Sequence, residues 1–265
     1  MSEQAAGIAL ITGATSGIGA AFAREFARRG HDLIITGRRK EKIEAVAAQV
    51  RAEHSVEVEV ILAELADPDD LDRLAARVAA EERLEVLVNN AGFAERGAFH
   101  ATDLERHRQM LQVHCLATVT LTHRALPRML ERARGSIINV SSLIAFTPIP
   151  GNTMYSATKS FINMFTESLH SEVAEEGIRV QALCPGMTRT DFHVRLGLDP
   201  EQTYQDRGLM KALTPEEVVT RSLEDLERGH IVCLPGVNIK AIALATRLLP
   251  RDALYRITSK SFSRK

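Results

Sequence analysis

The chain has 265 residues, 45% of them apolar and 25% charged, which is enough material for one large core. This composition excludes a disordered chain, a collagen-like repeat and a disulfide scaffold, and a net charge of -1 offers no general attraction for nucleic acid. The charge is uneven, however: residues 237–265 hold seven basic side chains (Lys240, Arg247, Arg251, Arg256, Lys260, Arg264, Lys265) and one acidic one, Asp252, so a body of -7 precedes a tail of +6.

In chain order, short β-branched runs occur at 8–12, 32–36, 56–62, 86–89, 136–140, 179–183 and 231–234. Between the first six lie segments with apolar residues three and four apart, at 18–29, 42–52, 71–82, 104–132 and 153–176. Such alternation predicts βαβ crossovers and a parallel sheet covered by helices on both faces, in one domain spanning 1–265. Residues 185–214 are irregular, and after the sixth run they fall at the carboxyl edge of the sheet, where ligands bind in such folds. Thr214-Pro215-Glu216-Glu217 then starts a helix with a capping box. The stretch 237–249 is apolar and helix-capable, though too short to span a membrane.

Cys115, Cys184 and Cys233 form no CxxC pair and point to a reducing compartment with the thiols as small buried groups. The opening MSEQAAG has no basic flank leading into an apolar run, and no stretch of about eighteen apolar residues follows. A cytoplasmic protein is expected.

Directly after the first run comes Thr12-Gly13-Ala14-Thr15-Ser16-Gly17-Ile18-Gly19. Gly13, Gly17 and Gly19 permit a tight turn, while Thr15, Ser16 and Ile18 lead into a helix whose unpaired N–H groups and dipole suit a pyrophosphate. With Asn89-Asn90-Ala91-Gly92, Ser141-Ser142, Tyr155-Ser156-Ala157-Thr158-Lys159 and Pro185-Gly186, the chain resembles the classical short-chain dehydrogenase/reductase family from about residue 7 to 192. The resemblance implies a Rossmann-type doubly wound domain with a seven-stranded sheet ordered 3-2-1-4-5-6-7, a nicotinamide cofactor, and hydride transfer between alcohol and carbonyl.

Gly37 stands where an NAD-specific site usually carries a carboxylate, and Arg38-Arg39-Lys40 follow it. Guanidinium groups match phosphate geometry, so NADP(H) is preferred over NAD(H), with Arg38 as the main contact and Arg39 beside it. By resemblance, Glu64-Leu65 and Asn89 lie on the adenine side, Ala91 and Gly92 beside the cofactor, and Pro185, Gly186, Thr188 and Thr190 around the nicotinamide. Asn89 also fits a purely structural role, closing hydrogen bonds between strands.

Tyr155 and Lys159 stand four apart at the start of a predicted helix, on one face. The phenol is the candidate acid/base, and a neighbouring ammonium would lower its pKa. By resemblance to the family, which uses a separation of thirteen residues, Ser142 would donate to the substrate oxygen, leaving Ser141 to bond backbone. Where the family usually has an asparagine supporting a water relay, this chain has His114 in Gln112-Val113-His114-Cys115-Leu116. An imidazole can bind water and pass protons, or simply pack. The histidines show no ligand spacing, so no metal is expected.

The segment 185–213, with 143–154 and 93–99, forms the expected substrate lid. Its Phe146, Ile149, Met154, Phe192, Leu196, Leu198 and Leu209 suit an apolar carbonyl substrate, 3-oxoacyl-like or steroid-like. The helices at 104–132 and 153–176 resemble those through which the family forms dimers and tetramers. The basic tail is expected to pack on its own chain or a neighbouring subunit first, with contact to an anionic membrane surface second. The sequence reads as an NADP(H)-dependent carbonyl reductase; the alternative is a catalytically weak cofactor-binding regulatory or scaffold protein, which His114 favours.

Overall fold

Strand β1, Ile8–Thr12, is buried along its whole length, as a strand covered on both faces must be. It pairs in parallel with β2 (Asp32–Gly37) on one side and with β4 (Leu84–Asn89) on the other. The remaining strands are β3 (Val58–Leu62), β5 (Gly135–Val140), β6 (Ile178–Leu183) and β7 (Val232–Cys233). They complete a seven-stranded sheet in the order β3-β2-β1-β4-β5-β6-β7, the order that the resemblance implied. Between β1 and β4 the winding reverses, which opens a crevice at the carboxyl ends of the strands. The chain is known here from a computed structural model that describes residues 7–197, 199, 201, 204 and 211–262.

Helices α1 (Gly17–Arg28) and α2 (Lys40–Glu53) cover one face, joined by α8 (Pro215–Glu227). Phe22 and Phe26 stack at 5.9 Å in that layer, and Arg24 and Arg29 reach Glu216 and Glu227 at 2.7 Å. The other face is covered by α3 (Pro68–Ala80), α5 (Ala117–Glu131) and α6 (Thr153–Val173). The Thr214 capping box is present in full, with Glu217 N donating to Thr214 Oγ1 at 3.2 Å and Thr214 N donating to Glu217 Oε2 at 2.8 Å. Cys115, Cys184 and Cys233 are buried free thiols.

Three differences from the sequence reading matter. The expected continuous helix over 104–132 is divided into α4 (Leu104–Leu111), a π-turn over Gln112–Leu116, and α5. Within the wide turn Val113, His114 and Cys115 are buried in succession. The predicted helix over 153–176 ends as α6 at Val173, with one 3₁₀ turn after it. Strand β3 starts at Val58 rather than at 56, and β7 shrinks to two residues at the edge of the sheet.

The predicted lid contains a short helix, α7 (Asp191–Arg195); Leu198 and Leu209 lie outside the described residues. The basic tail forms α9 (Val237–Leu248) and α10 (Arg251–Phe262), which pack on the chain's own body through buried Ile239, Ala243 and Leu254. Ile239 sits so close to Gly186 that a Cβ there would come within 2.4 Å of its Cδ1. Among the described residues no helix is long and apolar enough to cross a membrane.

A buried polar ladder fixes the sheet to the helices beneath it. Asn89 Nδ2 donates to Asn139 Oδ1 at 2.8 Å and to Thr122 Oγ1 at 3.1 Å, and Asn139 Nδ2 donates to Thr166 Oγ1 at 3.0 Å. Removing the middle member strands polar groups on β4 and α6. Asn139→Ala is expected to lower unfolding stability by about 1–3 kcal/mol, measured by urea titration. A midpoint equal to that of the parent would remove the ladder's stabilising role.

Candidate active site

The turn after β1 carries Gly13 at φ +68°, a left-handed conformation that favours glycine. A Cβ there would also stand 2.8 Å from Ala91 Cα, so β1 and β4 approach each other only because Gly13 has no side chain. Gly19 serves the same close packing, since its Cβ would meet Asn90 Nδ2 at 2.5 Å. Ser16 is the N-cap of α1, yet its hydroxyl does not cap the helix; it accepts from Arg39 at 3.2 Å. Arg39 also donates to Thr15 Oγ1 and is thus folded onto the turn.

Arg38 points elsewhere. Its Nη1 meets Glu64 Oε2 at 2.7 Å, joining two residues that the sequence placed separately at the adenine end. Both side chains are solvent-exposed, so the pair is worth at most about 1 kcal/mol and opens readily for a competing anion.

A cavity of about 720 Å³ runs from this end across the sheet edge. Gly13, Thr15, Ser16, Gly17 and Ile18 line it at the turn, and Arg38, Arg39, Glu64 and Leu65 line the outer end. Ala91, Gly92, Ser142, Tyr155 and Lys159 follow, then Pro185, Gly186, Thr188 and Thr190. Thr190 closes over the turn: a Cβ on Gly17 would lie 2.9 Å from its methyl group. Tyr204 holds this segment, donating to the Thr190 carbonyl at 2.7 Å.

Asn89 is not part of the wall. Its side chain turns into the polar ladder, whereas Asn90, which the sequence reading quoted without a role, lines the cavity. Asn90 Nδ2 donates to the carbonyls of Thr12 and Gly13 at 2.8 and 3.1 Å. Thr12 Oγ1 in turn accepts from the backbone N–H groups of Asn90 and Ala91 at 2.9 and 3.0 Å. The alternation of side chains along a strand is the signal that separates the two asparagines.

Tyr155 and Lys159 occupy successive turns of α6. Lys159 is buried, donates to the Val140 carbonyl at 2.8 Å, and places Nζ 5.7 Å from the centre of the Tyr155 ring. Burial pushes Lys159 down to about 8. Burial also pushes Tyr155 up to about 12, against a hydrogen bond from Ser142 that works the other way. In the protein alone burial is the larger cause, and the phenol stands above its ordinary range rather than lowered as expected beside an ammonium and a nicotinamide ring. Ser141 Oγ donates to the Lys159 carbonyl at 2.9 Å and so faces away from the chemistry.

His114 has no nitrogen left for a water. Its Nε2 accepts from Phe93 N at 3.1 Å, which places the proton on Nδ1, 2.9 Å from Thr158 Oγ1. Thr158 passes the chain on, donating to the Tyr155 carbonyl at 3.1 Å. Burial first, and the Lys159 charge second, hold the imidazole well below its ordinary range. It does not line the cavity.

Beyond Tyr155 the wall is apolar, with Ile149, Phe192 and Leu196 facing Ile242, Leu249 and Leu254 of the C-terminal segment. Phe192 lies 5.9 Å from the Tyr155 ring. The expected lid residue Phe146 lines a neighbouring groove instead, and Met154 is in neither lining.

A family model described as short chain dehydrogenase matches residues 7–200. The very-long-chain 3-oxoacyl-CoA reductase of Anas platyrhynchos is 37% identical over 182 residues, 67% of this chain and 58% of that protein, so the chain spans less than two thirds of that relative's length. The sulfoacetaldehyde reductase of Chromohalobacter salexigens is 36% identical over 213 residues, covering 78% of this chain and 83% of the relative. Among solved structures, a short-chain dehydrogenase from Sphingobium yanoikuyae in complex with NADPH superposes with a TM-score of 0.83 at 33% identity, covering 97% of this chain and 95% of that one. With a family match over most of the chain and a shared seven-stranded sheet, the protein belongs to the short-chain dehydrogenase/reductase family of oxidoreductases.

Proposed function

We propose that the protein is an NADP(H)-dependent oxidoreductase that interconverts an apolar carbonyl compound and its alcohol. The observation that carries this reading is one continuous cavity with Ser142, Tyr155 and Lys159 midway between the glycine turn and an apolar lobe. The residues fit a dinucleotide: Gly13, Ser16, Gly17 and Ile18 line the cavity where α1 begins, and the outer end presents Arg38 and Arg39 with no carboxylate at Gly37. The NADPH complex of the Sphingobium relative supports the same cofactor.

When bound, the nicotinamide supplies a hydride to a carbonyl or takes one from an alcohol. Ser142 Oγ holds the substrate oxygen, and Tyr155 Oη gives it a proton during reduction or removes one during oxidation. Lys159, charged below about pH 8, favours negative charge on the phenol oxygen as the proton leaves. His114 is a positioning residue rather than a relay: it ties the loop after β4 to the carbonyl of Tyr155 through Thr158. The apolar lobe favours a 3-oxoacyl-like or steroid-like substrate over a small sulfonate, since Arg96 is its one lining cation among the described residues.

The test is NADPH and NADH oxidation over a panel of apolar ketones and 3-oxoacyl esters. Tyr155→Phe is expected to lower kcat by about 100- to 10,000-fold. Arg38→Ala is expected to raise the KM for NADPH by about tenfold to a hundredfold while leaving that for NADH little changed. Cofactor binding without Tyr155-dependent turnover would favour a scaffold role instead.

The pH dependence follows from which proton each group needs. In reduction Tyr155 must hold its proton, which it does until about pH 12, and Lys159 must be charged, which fails as pH rises through about 8. The kcat/KM for reduction is therefore expected to be level below pH 8 and to fall above it. His114→Asn is expected to keep that profile and His114→Ala to lose kcat with little change in KM. An acid limb near pH 6–7 that His114→Asn removes would restore the relay.

Exposed Leu111, Leu116, Phe161 and Met164, on α4, the π-turn and α6, support a homodimer or homotetramer through these helices. Sedimentation analysis is expected to give an oligomer that Met164→Glu dissociates; a monomeric parent protein would rule this surface out.

A further inference from the structure

A second groove, of about 850 Å³, lies between residues 145–160 and the α9–α10 pair. Thr147, Ile149, Thr246, Leu249 and Thr258 face both this groove and the catalytic chamber, so the two spaces meet along one seam. Beside the apolar Phe146, Pro148 and Pro150, the groove carries the hydroxyl residues Thr153, Ser156, Ser160 and Ser259, with Tyr255 and Arg251 on α10. Ser160 donates to the carbonyls of Ala145 and Ser156, and Ser259 to that of Arg256, which leaves their oxygens to accept.

The groove begins one residue from the candidate proton donor. Successive residues of a helix project about 100° apart, so Tyr155 enters the chamber while Ser156 turns to the groove. Ser156 Oγ is buried and has no hydrogen-bond partner. Arg251 is exposed and makes no ion pair among the described residues.

A carbonyl held by Ser142 and Tyr155 in the middle of a long molecule has two substituents to house. The apolar lobe accommodates one; the seam leads the other past hydroxyls to a cation. We propose that the groove is a second substrate subsite, taking a hydrogen-bonding arm that ends in an anion and is attached to the reacting carbonyl compound. A phosphopantetheine arm has this chemistry: amides along its length for the hydroxyls, and a phosphate for Arg251. This deepens the function proposed above, on which it rests, and selects an acyl thioester over a rigid polycyclic ketone.

The test is steady-state reduction of one acetoacetyl group carried in three ways: on coenzyme A, on the phosphopantetheine of an acyl carrier protein, and on N-acetylcysteamine, which lacks phosphate. Two exposed positions away from the chemistry are changed, Arg251→Glu and Ser259→Trp. Both variants are expected to lower kcat/KM by about tenfold or more for the phosphate-bearing substrates, and Arg251→Glu to stay within about twofold for N-acetylcysteamine. A loss confined to coenzyme A or to the carrier protein identifies the source of the arm. Equal effects on all three substrates, or none on any, overturn the subsite. So does turnover of simple ketones with no thioester reduced. Absence of turnover on every carbonyl overturns the underlying oxidoreductase reading instead.

Discussion

The site depends on one buried ammonium. Lys159 carries its charge inside the protein with a backbone carbonyl, that of Val140, as hydrogen-bond partner at 2.8 Å. A charge in that position is tolerable only if its partner cannot drift, because the desolvation cost is repaid by geometry. The end of β5 meets this demand with three consecutive residues. Asn139 bonds Thr166, Val140 receives Lys159, and Ser141 bonds the carbonyl of Lys159 itself. Strand β5 and helix α6 are thereby held in register over the turns that also carry Tyr155. Tyr155 is placed by the same contacts that make the buried charge bearable.

His114 belongs to this arrangement from the opposite side. A packed imidazole with both nitrogens committed links the loop after β4 to α6, while its ring centre lies 5.8 Å from that of Tyr155 in an edge-on arrangement. The imidazole sits on the π-turn, between buried Val113 and Cys115. The histidine thus completes a frame around Tyr155 that already includes β5.

Most of the sheet could be read from the chain because β1, β2, β4, β5 and β6 are buried on both faces and appear as short apolar runs. The glycine turn and the tyrosine and lysine were legible for a different reason, the local geometry of a strand-to-helix turn and of one helical face, whereas Ser142 was legible only through the family's separation from the tyrosine. Less local features were hidden. The π-turn has the composition of ordinary helix, and nothing in Asn89-Asn90 says which side chain faces the cavity until the end of β4 is fixed. The raised phenol of Tyr155 in the protein alone follows from burial by elements far away in sequence, which spacing to Lys159 does not reveal. Arg38 and Glu64, 26 residues apart, meet only once β2 and β3 are side by side.

The basic tail shows how charge counts lose meaning once a helix is placed. A surface-bound amphipathic helix needs its cations on one face and its apolar residues on the other. Along α10, Arg251 and Arg256 are five residues apart and so project about 140° from each other. Between them Leu254 is buried at the chamber wall, and Ile257 also lines that wall while staying half-exposed. Leu254 and Ile257 therefore line the chain's own cavity, and Arg251 and Arg256 do not share a face. Arg251 lines the groove beside the chamber, and Arg38 lines the outer end of the cavity. Two single arginines at opposite ends of an acidic body need no basic surface between them, and a net charge of -1 conceals both.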